Sequence, residues 1–207
     1  NDNANDNNKE HFTNTNINSS ESVRRSVVAE IIDYNRYYKK AYLDLSQLAV
    51  YRLPDEVASF NWVKKLILRN CKLETLANLP PQLEVLVVEE ARDITKIYQL
   101  LPSTLKVLYF FNVNISSLMN IPSTLEVLRL INTQTIKFVD LRRFTHLKKL
   151  ELGYMGLQNI TQWGSDNITE VKLYGNNLVD QDAFPTNAIF PKNIKILWLG
   201  NNGICNG

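Results

Sequence analysis

The sequence predicts an α/β solenoid, in which short parallel strands stack side by side after an amino-terminal helix. One observation is an apolar motif that returns every 20 to 22 residues, with one longer step of 26, along most of the 207-residue chain. A second is a helical spacing of apolar residues ahead of the first copy, and a third is a polar segment ahead of that helix. The composition, 44% hydrophobic and 21% charged, is ordinary for a folded domain.

The repeated motif has apolar residues at its first, fourth and sixth positions. Its copies are Val63-x-x-Leu66-x-Leu68, Leu83-x-x-Leu86-x-Val88, Leu105-x-x-Leu108-x-Phe110, Leu125-x-x-Leu128-x-Leu130, Leu147-x-x-Leu150-x-Leu152, Ile168-x-x-Val171-x-Leu173 and Ile194-x-x-Leu197-x-Leu199, after a weaker copy at Leu43-x-Leu45-x-x-Leu48-x-Val50. Each coil can bury its leucines only by stacking on the next coil. We therefore expect one parallel sheet, with strands near residues 66–68, 86–88, 108–110, 128–130, 150–152, 171–173 and 197–199.

This pattern resembles the leucine-rich-repeat family, and the short units with Leu-Pro or Ile-Pro before the strand resemble those of bacterial effector proteins. Repeats of protist, fungal and large-virus proteins are similar. The resemblance implies a horseshoe with the parallel sheet on its concave face. Because 20 to 22 residues leave little room for a helix, we expect mostly extended or 3₁₀ structure on the convex side. The chain departs from the family at the ninth position, usually Asn or Cys, so we expect a broken side-chain ladder there: Cys71, Ala91, Val113, Thr133, Met155, Asn176 and Asn202.

Three segments follow from these patterns. Residues 1–19 are polar and predict a disordered tail. Residues 20–39 predict an amino-terminal capping helix, begun by Ser19 or Ser20 and packed through Val23, Val27, Ile31, Tyr34 and Tyr38. A partner-binding helix is the alternative for this segment. Residues 40–207 form the solenoid of about eight repeats.

Composition and motifs give no sign of a catalytic, metal-binding, nucleic-acid-binding or membrane-spanning function. The net charge of +2 gives no bulk reason to expect nucleic acid or a membrane surface as partner, and no apolar run is long enough to span a membrane. The two cysteines, Cys71 and Cys205, lack the spacing of a metal or disulfide framework, and we expect Cys71 in the core or ladder. We therefore expect no catalytic residue, metal, cofactor or small-molecule substrate, and a cytoplasmic protein, in the host cytosol if it is a secreted effector.

The concave surface carries the candidate site. If the fourth and sixth positions face the core, the third, fifth and seventh face outward, with the eighth at the margin. These positions hold an aromatic and charged strip of partner-binding residues: Tyr109, Phe111, Arg129, Ile131, Glu151, Tyr154, Lys172, Tyr174 and Trp198. Contiguous exposed apolar groups mark interaction surfaces, so the sequence predicts a protein partner on this face. Packing of the strip against the chain's own amino-terminal segment, or against a second copy, is the alternative.

Two other functions remain open. The solenoid can be the substrate-recognition part of a larger enzyme, such as an effector ubiquitin ligase, or a structural subunit whose ends make the contacts. The first residue is Asn1 rather than Met, so we expect the natural start to lie upstream, with a removed export signal left open. The last repeat has no obvious cap, so we expect either further chain or a docking partner there. The sequence leaves the oligomeric state open.

Overall fold

The structure is a computed structural model that describes residues 23, 27–94, 101–178 and 190–203. The predicted tail at residues 1–19 and the cap residues Ser19 and Ser20 lie outside the described residues, as does Cys205. No helix in the described part of the chain is both long and apolar enough to cross a membrane.

The described chain is a parallel β-solenoid with little helix. Eight of its strands form one sheet in the order β1-β2-β3-β4-β5-β7-β9-β10, and every neighbouring pair is parallel. The predicted parallel sheet is therefore confirmed, with bounds within a few residues of those expected. These strands are β1 (Tyr42–Asp44), β2 (Lys65–Arg69), β3 (Val85–Ala91), β4 (Val107–Val113), β5 (Val127–Ile131), β7 (Lys149–Gly153), β9 (Glu170–Lys172) and β10 (Ile196–Trp198).

Equivalent motif positions stand opposite one another in adjacent strands. The fourth positions form one continuous row, in which Leu108 pairs with Leu86 on one side and with Leu128 on the other. Leu108, Leu128 and Leu150 are buried, as predicted. The first positions from Val63 to Ile168 are buried as well. Because each coil buries its leucines against the next, the repeats share one core.

The coils are also joined at their second positions. The Lys64 carbonyl accepts hydrogen bonds from both Glu84 N and Val85 N of the next coil, at 2.8 and 2.9 Å. In the first Pro-Ser-Thr-Leu segment, Leu105 N donates to Pro102 O at 3.0 Å, which closes a turn just before β4. The hydroxyl of Thr104 then donates to the Leu83 carbonyl of the preceding coil at 2.7 Å. This sequence therefore both turns the chain and fixes it to its neighbour.

The segments between the large strands are extended or 3₁₀ where they have regular structure. A 3₁₀ helix spans Asp55–Ser59, and β6 (Phe138–Asp140) pairs with β8 (Asn159–Gln162) in a second parallel sheet. Val139 and Ile160, at the middle of these two strands, belong to the same core as the large sheet. We call the surface outside β6 and β8 the back of the solenoid.

A left-handed turn recurs at the eighth motif position. Every coil has a positive φ there, between 49° and 68°, at Gln47, Asn70, Glu90, Asn112, Asn132, Tyr154, Gly175 and Asn201. Asn and Gly tolerate this conformation better than other residues do. Neighbouring side chains bond in part of this row: Asn70 Nδ2 donates to Gln47 Oε1 at 3.0 Å, and Asn132 donates to Asn112. Part of the eighth-position row thus forms a side-chain ladder, which the sequence pattern predicts only at the ninth position.

The ninth position keeps its own ladder only where Asn or Cys is present. Asn176 Oδ1 accepts from Met155 N and Leu157 N at 3.1 and 3.2 Å, and the Cys71 thiol donates to the Leu45 carbonyl at 3.0 Å. In the coils that hold Ala91 and Val113 instead, β3 and β4 extend to these residues, which pair with each other. Backbone pairing replaces the missing side-chain bonds there.

Val23 and residues 27–38 are helical before the sheet, and the buried face overlaps only partly with the one predicted. Of the predicted residues, Ile31 packs against the core and Val27 is half-buried, whereas Val23, Tyr34 and Tyr38 are exposed. The fully buried residues of the helix are Val28, Ile32 and Asn35. Tyrosine suits an exposed face because its hydroxyl is polar, and Asn35 can be buried because the protein provides hydrogen-bond partners for its polar groups. Its Nδ2 donates to the Tyr42 carbonyl at 3.2 Å, and its Oδ1 accepts from Trp62 Nε1 at 2.7 Å.

Candidate functional site

The face of the large sheet turned away from the core carries the candidate site, and we call it the open face. It consists of the third, fifth and seventh positions of each coil, with the eighth at its margin. The structure places all the predicted partner-binding residues on or beside this face, in successive strands of one sheet. In-register pairing brings equivalent positions of neighbouring coils together, so the residues form rows rather than isolated groups.

The centre of the open face is an ionic network. Arg129 Nε donates to Glu151 Oε2 at 2.6 Å, and the Tyr174 hydroxyl donates to the other oxygen of the same carboxylate at 2.5 Å. The Arg129 guanidinium also lies over the Tyr109 ring, 5.0 Å from its centroid. These contacts join β4, β5, β7 and the turn after β9. The network therefore holds four side chains, those of Tyr109, Arg129, Glu151 and Tyr174, in fixed positions relative to one another.

Both tyrosines of the network are uncharged at neutral pH, because the pKa of each phenol lies above its usual value. Burial is the largest cause that raises the pKa of Tyr174, followed by its hydrogen bond to Glu151. Burial also raises the pKa of Tyr109, helped by the negative charge of Glu89. Each phenol therefore keeps its proton, and Tyr174 remains a hydrogen-bond donor to the carboxylate.

Two glycines make room for an aromatic pair beside this network. The Tyr154 and Tyr174 rings lie 5.5 Å apart, edge to face at 67°. A Cβ on Gly153 would lie 2.5 Å from the Tyr174 ring, and a Cβ on Gly175 would overlap the Tyr154 ring. Each tyrosine thus lies over a glycine of the neighbouring coil. Larger residues at these two positions would displace the pair.

Tyr154 itself occupies the left-handed eighth position, with φ at 49°. For a bulky residue this conformation costs on the order of 1 kcal/mol, whereas four other coils have Asn there and one has Gly. The side chain remains 52% exposed, so burial does not explain its presence. An exposed aromatic residue at a strained position is the kind of feature that recognition sites retain.

The last described strand of the open face, β10, carries an exposed aromatic residue. The Lys172 ammonium lies 4.6 Å from the centroid of the Trp198 ring, which is 57% exposed. Ile196 and Leu197 on the same strand are exposed too. Leu197 occupies a fourth position, which is buried in the preceding coils, so this strand leaves apolar groups in contact with solvent on both of its faces.

The prediction that the whole strip is exposed is wrong at Ile131 and Glu151. Both side chains are only 8% exposed, although neither faces the core of the solenoid. The reason is the spacing of about 4.8 Å between strands, at which large side chains of adjacent coils cover smaller or shorter ones. Phe111 pairs with Ile131, and Arg129 with Glu151, in the sheet register. Phe111, Tyr109, Lys172 and Tyr174 are half-buried, and Arg129 is exposed.

Sequence reasoning missed two charged residues of the open face. Lys149 and Glu170 occupy the third position of their coils, and their charged groups lie 3.8 Å apart. On its other side, Lys149 pairs with Val127. The signal was present, because this same position supplies Val85, Val107 and Val127 in the earlier coils. Along this row the open face therefore changes from apolar at Val127 to charged at Lys149.

Cys71 is buried, and burial raises the pKa of its thiol to about 11. A neutral, buried thiol is a poor nucleophile, which agrees with its predicted place in the ladder. In the described part of the chain, no three His, Cys, Asp or Glu side chains gather as a metal site would require. Lys96 and Gln99, which the repeat pattern predicts on the convex side, lie outside the described residues.

Comparison of the chain with protein-family models, curated proteins and solved structures finds no match in any of the three.

Proposed function

We propose that the chain is a leucine-rich-repeat recognition module, capped at its amino-terminal end by the helix over residues 27–38, that binds a protein partner on a concave open face. The observation that carries the proposal is the Tyr154–Tyr174 pair, which lies on Gly153 and Gly175 at one side of the Arg129–Glu151 ion pair. Tyrosine, tryptophan and arginine are the residue types enriched among binding hot spots. A preordered aromatic and ionic surface is suited to a folded partner.

The open face is large enough for a protein interface. Strands about 4.8 Å apart place Tyr109 and Trp198 four strand spacings from each other, at about 19 Å. A standard interface buries about 800 Å² on each partner, which needs a patch on the order of 30 Å across. The predicted residues would therefore form the centre of such a patch, with neighbouring strands supplying its rim.

The proposal is tested with the chain as bait in an extract of the source cells. Tyr154→Asn removes the exposed ring and places at this position the residue that four other coils have there. We expect relief of backbone strain to offset the lost ring contact, so stability changes by less than about 1 kcal/mol. Capture of the partner should fall by about 30-fold, as for a hot-spot loss of about 2 kcal/mol.

A matched control lies on the back of the solenoid. Phe138 is also a large exposed aromatic residue, on β6. Phe138→Ala should leave capture unchanged. If Phe138→Ala abolishes capture while Tyr154→Asn and Trp198→Ala have no effect, the partner binds the back and the proposed site is wrong.

The exposed β10 strand supports a second candidate, a structural subunit that associates through this end of the sheet. Leu197 distinguishes the two functions, because it belongs to the core side of the strand and not to the open face. For a subunit, Leu197→Lys should abolish association while Tyr154→Asn leaves it intact. For a module that binds through the open face, we expect the reverse pattern.

A further inference from the structure

A pocket of about 300 Å³ opens on the open face across β5, β7 and β9. Its charged lining consists of Arg129, Lys149, Glu151, Glu170 and Lys172, with Val127 beside them. Three positive groups therefore surround two carboxylates. Arg129 and Lys149 lie nearer to solvent than the rest of the lining, since their side chains are 45% and 58% exposed, while the side chains of Lys172, Glu151 and Glu170 are largely covered.

Both oxygens of one of the two carboxylates already accept hydrogen bonds. Glu151 accepts a hydrogen bond from Arg129 with one oxygen and from Tyr174 with the other, and neither bond involves a lysine. Its charge is balanced by Arg129 inside the network. The other charged groups of the pocket are the Glu170 carboxylate and the ammonium groups of Lys149 and Lys172.

Lys149 and Lys172 share the single carboxylate of Glu170, and neither reaches hydrogen-bond distance. Their ammonium nitrogens lie 3.8 and 3.6 Å from its two oxygens. An ammonium group carries three N–H donors, and neither lysine donates a hydrogen bond to another described residue. Lys172 is also held against the Trp198 ring. The pair thus presents one positive charge in excess, with N–H donors that no described residue accepts, within one pocket.

We infer that this pocket receives an Asp or Glu side chain from an acidic segment of the protein partner. A carboxylate that bridges Lys149 and Lys172 would satisfy their donors and their excess charge, since charge-assisted hydrogen bonds are the strong ones. This inference rests on the proposed function and specifies the chemistry of its partner.

A nucleic acid fits this surface less well. A chain of phosphates needs successive positive groups, but the third-position row continues into Val127, Val107 and Val85. Glu151 and Glu170 would also repel closely spaced phosphates. A site for one carboxylate next to apolar residues suits an acidic side chain of a peptide better than a chain of phosphates.

The inference is tested by nuclear magnetic resonance titration of the ¹⁵N-labelled chain with acetyl-tetraglutamate amide. Acetyl-tetraglutamine amide is the uncharged comparison, and a short oligothymidylate is the phosphate comparison. We expect shifts of backbone amides in β7 and β9 with the glutamate peptide and none with the glutamine peptide. The double variant K149Q/K172Q should raise the Kd by roughly 10-fold or more, as for lost charge-assisted bonds.

Lys148 provides the matched control. Its side chain is 56% exposed, close to the 58% of Lys149, but its ammonium lies 3.2 Å from Glu126 at the second position, away from the pocket. K148Q should change the Kd by less than about twofold. Equal effects of K148Q and K149Q, shifts outside the pocket, or tighter binding of the oligothymidylate at the same residues would overturn the inference.

Failure of the inference is separable from failure of the proposed function. If K149Q/K172Q leaves capture of the partner from an extract unchanged while Tyr154→Asn abolishes it, the open face binds a protein without reading a carboxylate. If neither variant affects capture, the open face is not the binding surface at all.

Discussion

Tyr154, Ile131 and Cys71 illustrate how a residue's environment in this chain is set by the coil beside it. Tyr154 is accommodated by Gly175 of the next coil, and Ile131 is covered on the open face although it points away from the core. Cys71 donates its thiol proton to the Leu45 carbonyl of the preceding coil. Sequence position within one motif therefore assigns the face of the sheet but not the exposure, which depends on side-chain size one coil away.

The core leucines give the first prediction at this scale. Leu108, Leu128 and Leu150 lie in the middle of the fourth-position row, each between two neighbouring strands. Replacement of any one by Ala should lower the free energy of unfolding by roughly 2 to 5 kcal/mol, because both transfer energy and a cavity are involved. Urea unfolding measures this. Losses near zero for all three would contradict the described core.

Cys71 gives a prediction about alkaline pH. Burial raises the pKa of its thiol from 9.0 to about 11, so the folded chain keeps the proton after the unfolded chain has lost it. The stabilisation is therefore complete below pH 9.0 and is lost as the pH rises toward about 11, by up to about 3 kcal/mol. Urea unfolding across this range should show a steeper loss for the natural chain than for Cys71→Ala. Equal slopes for the two proteins would rule the effect out.

At the scale of elements, the second motif positions show how register is enforced. From the coil of β2 to the coil of β7 they alternate in charge: Lys64, Glu84, Lys106, Glu126 and Lys148. Lys106 lies 3.5 Å from Glu84, and Lys148 lies 3.2 Å from Glu126. Each exposed pair contributes little, about 0.2 to 1 kcal/mol, but a shifted pairing of strands would separate the opposite charges in every pair of the row. The row therefore favours one register over its alternatives.

Reversal of one charge in this row is the third prediction. Glu126→Lys places three positive groups in successive coils, and it should lower the free energy of unfolding by about 1 kcal/mol at low salt. High salt should reduce the difference, because these side chains are exposed. Glu74→Lys, the same charge change at an exposed residue that forms no ion pair with another described residue, is the control. A loss that is equally large for Glu74→Lys, or independent of salt, would count against a role in register.

Strands were more predictable than turns and the helix, and the reasons are physical. A strand with one buried face repeats its apolar residues strictly, so the motif located β2 to β5 and β7 closely. The helix face was misassigned because tyrosine counts as apolar in a periodicity but can remain exposed, while Asn35 is buried through its hydrogen bonds. The left-handed eighth position escaped notice because Glu90 and Tyr154 stand where Asn would have signalled it.

For the whole molecule, one sheet and one core join the coils into a single body in which the open face spans several repeats. The nine predicted binding residues share this face, but no comparison identifies a partner. The arrangement of Tyr154 and Tyr174 over glycines depended on contacts between coils, which a motif does not encode. Face and order were thus predictable, whereas the preordered aromatic and ionic centre was not.

Site-specific photo-crosslinking in source-cell extract tests the central claim most directly. A photoreactive phenylalanine analogue would replace Tyr154 on the open face in one protein and Phe138 on the back in another, both exposed aromatic positions. We predict a discrete crosslinked protein from position 154, suppressed by an excess of the natural chain but not of the Tyr154→Asn variant. A crosslink of equal or greater yield from position 138, with none from position 154, would contradict recognition through the open face.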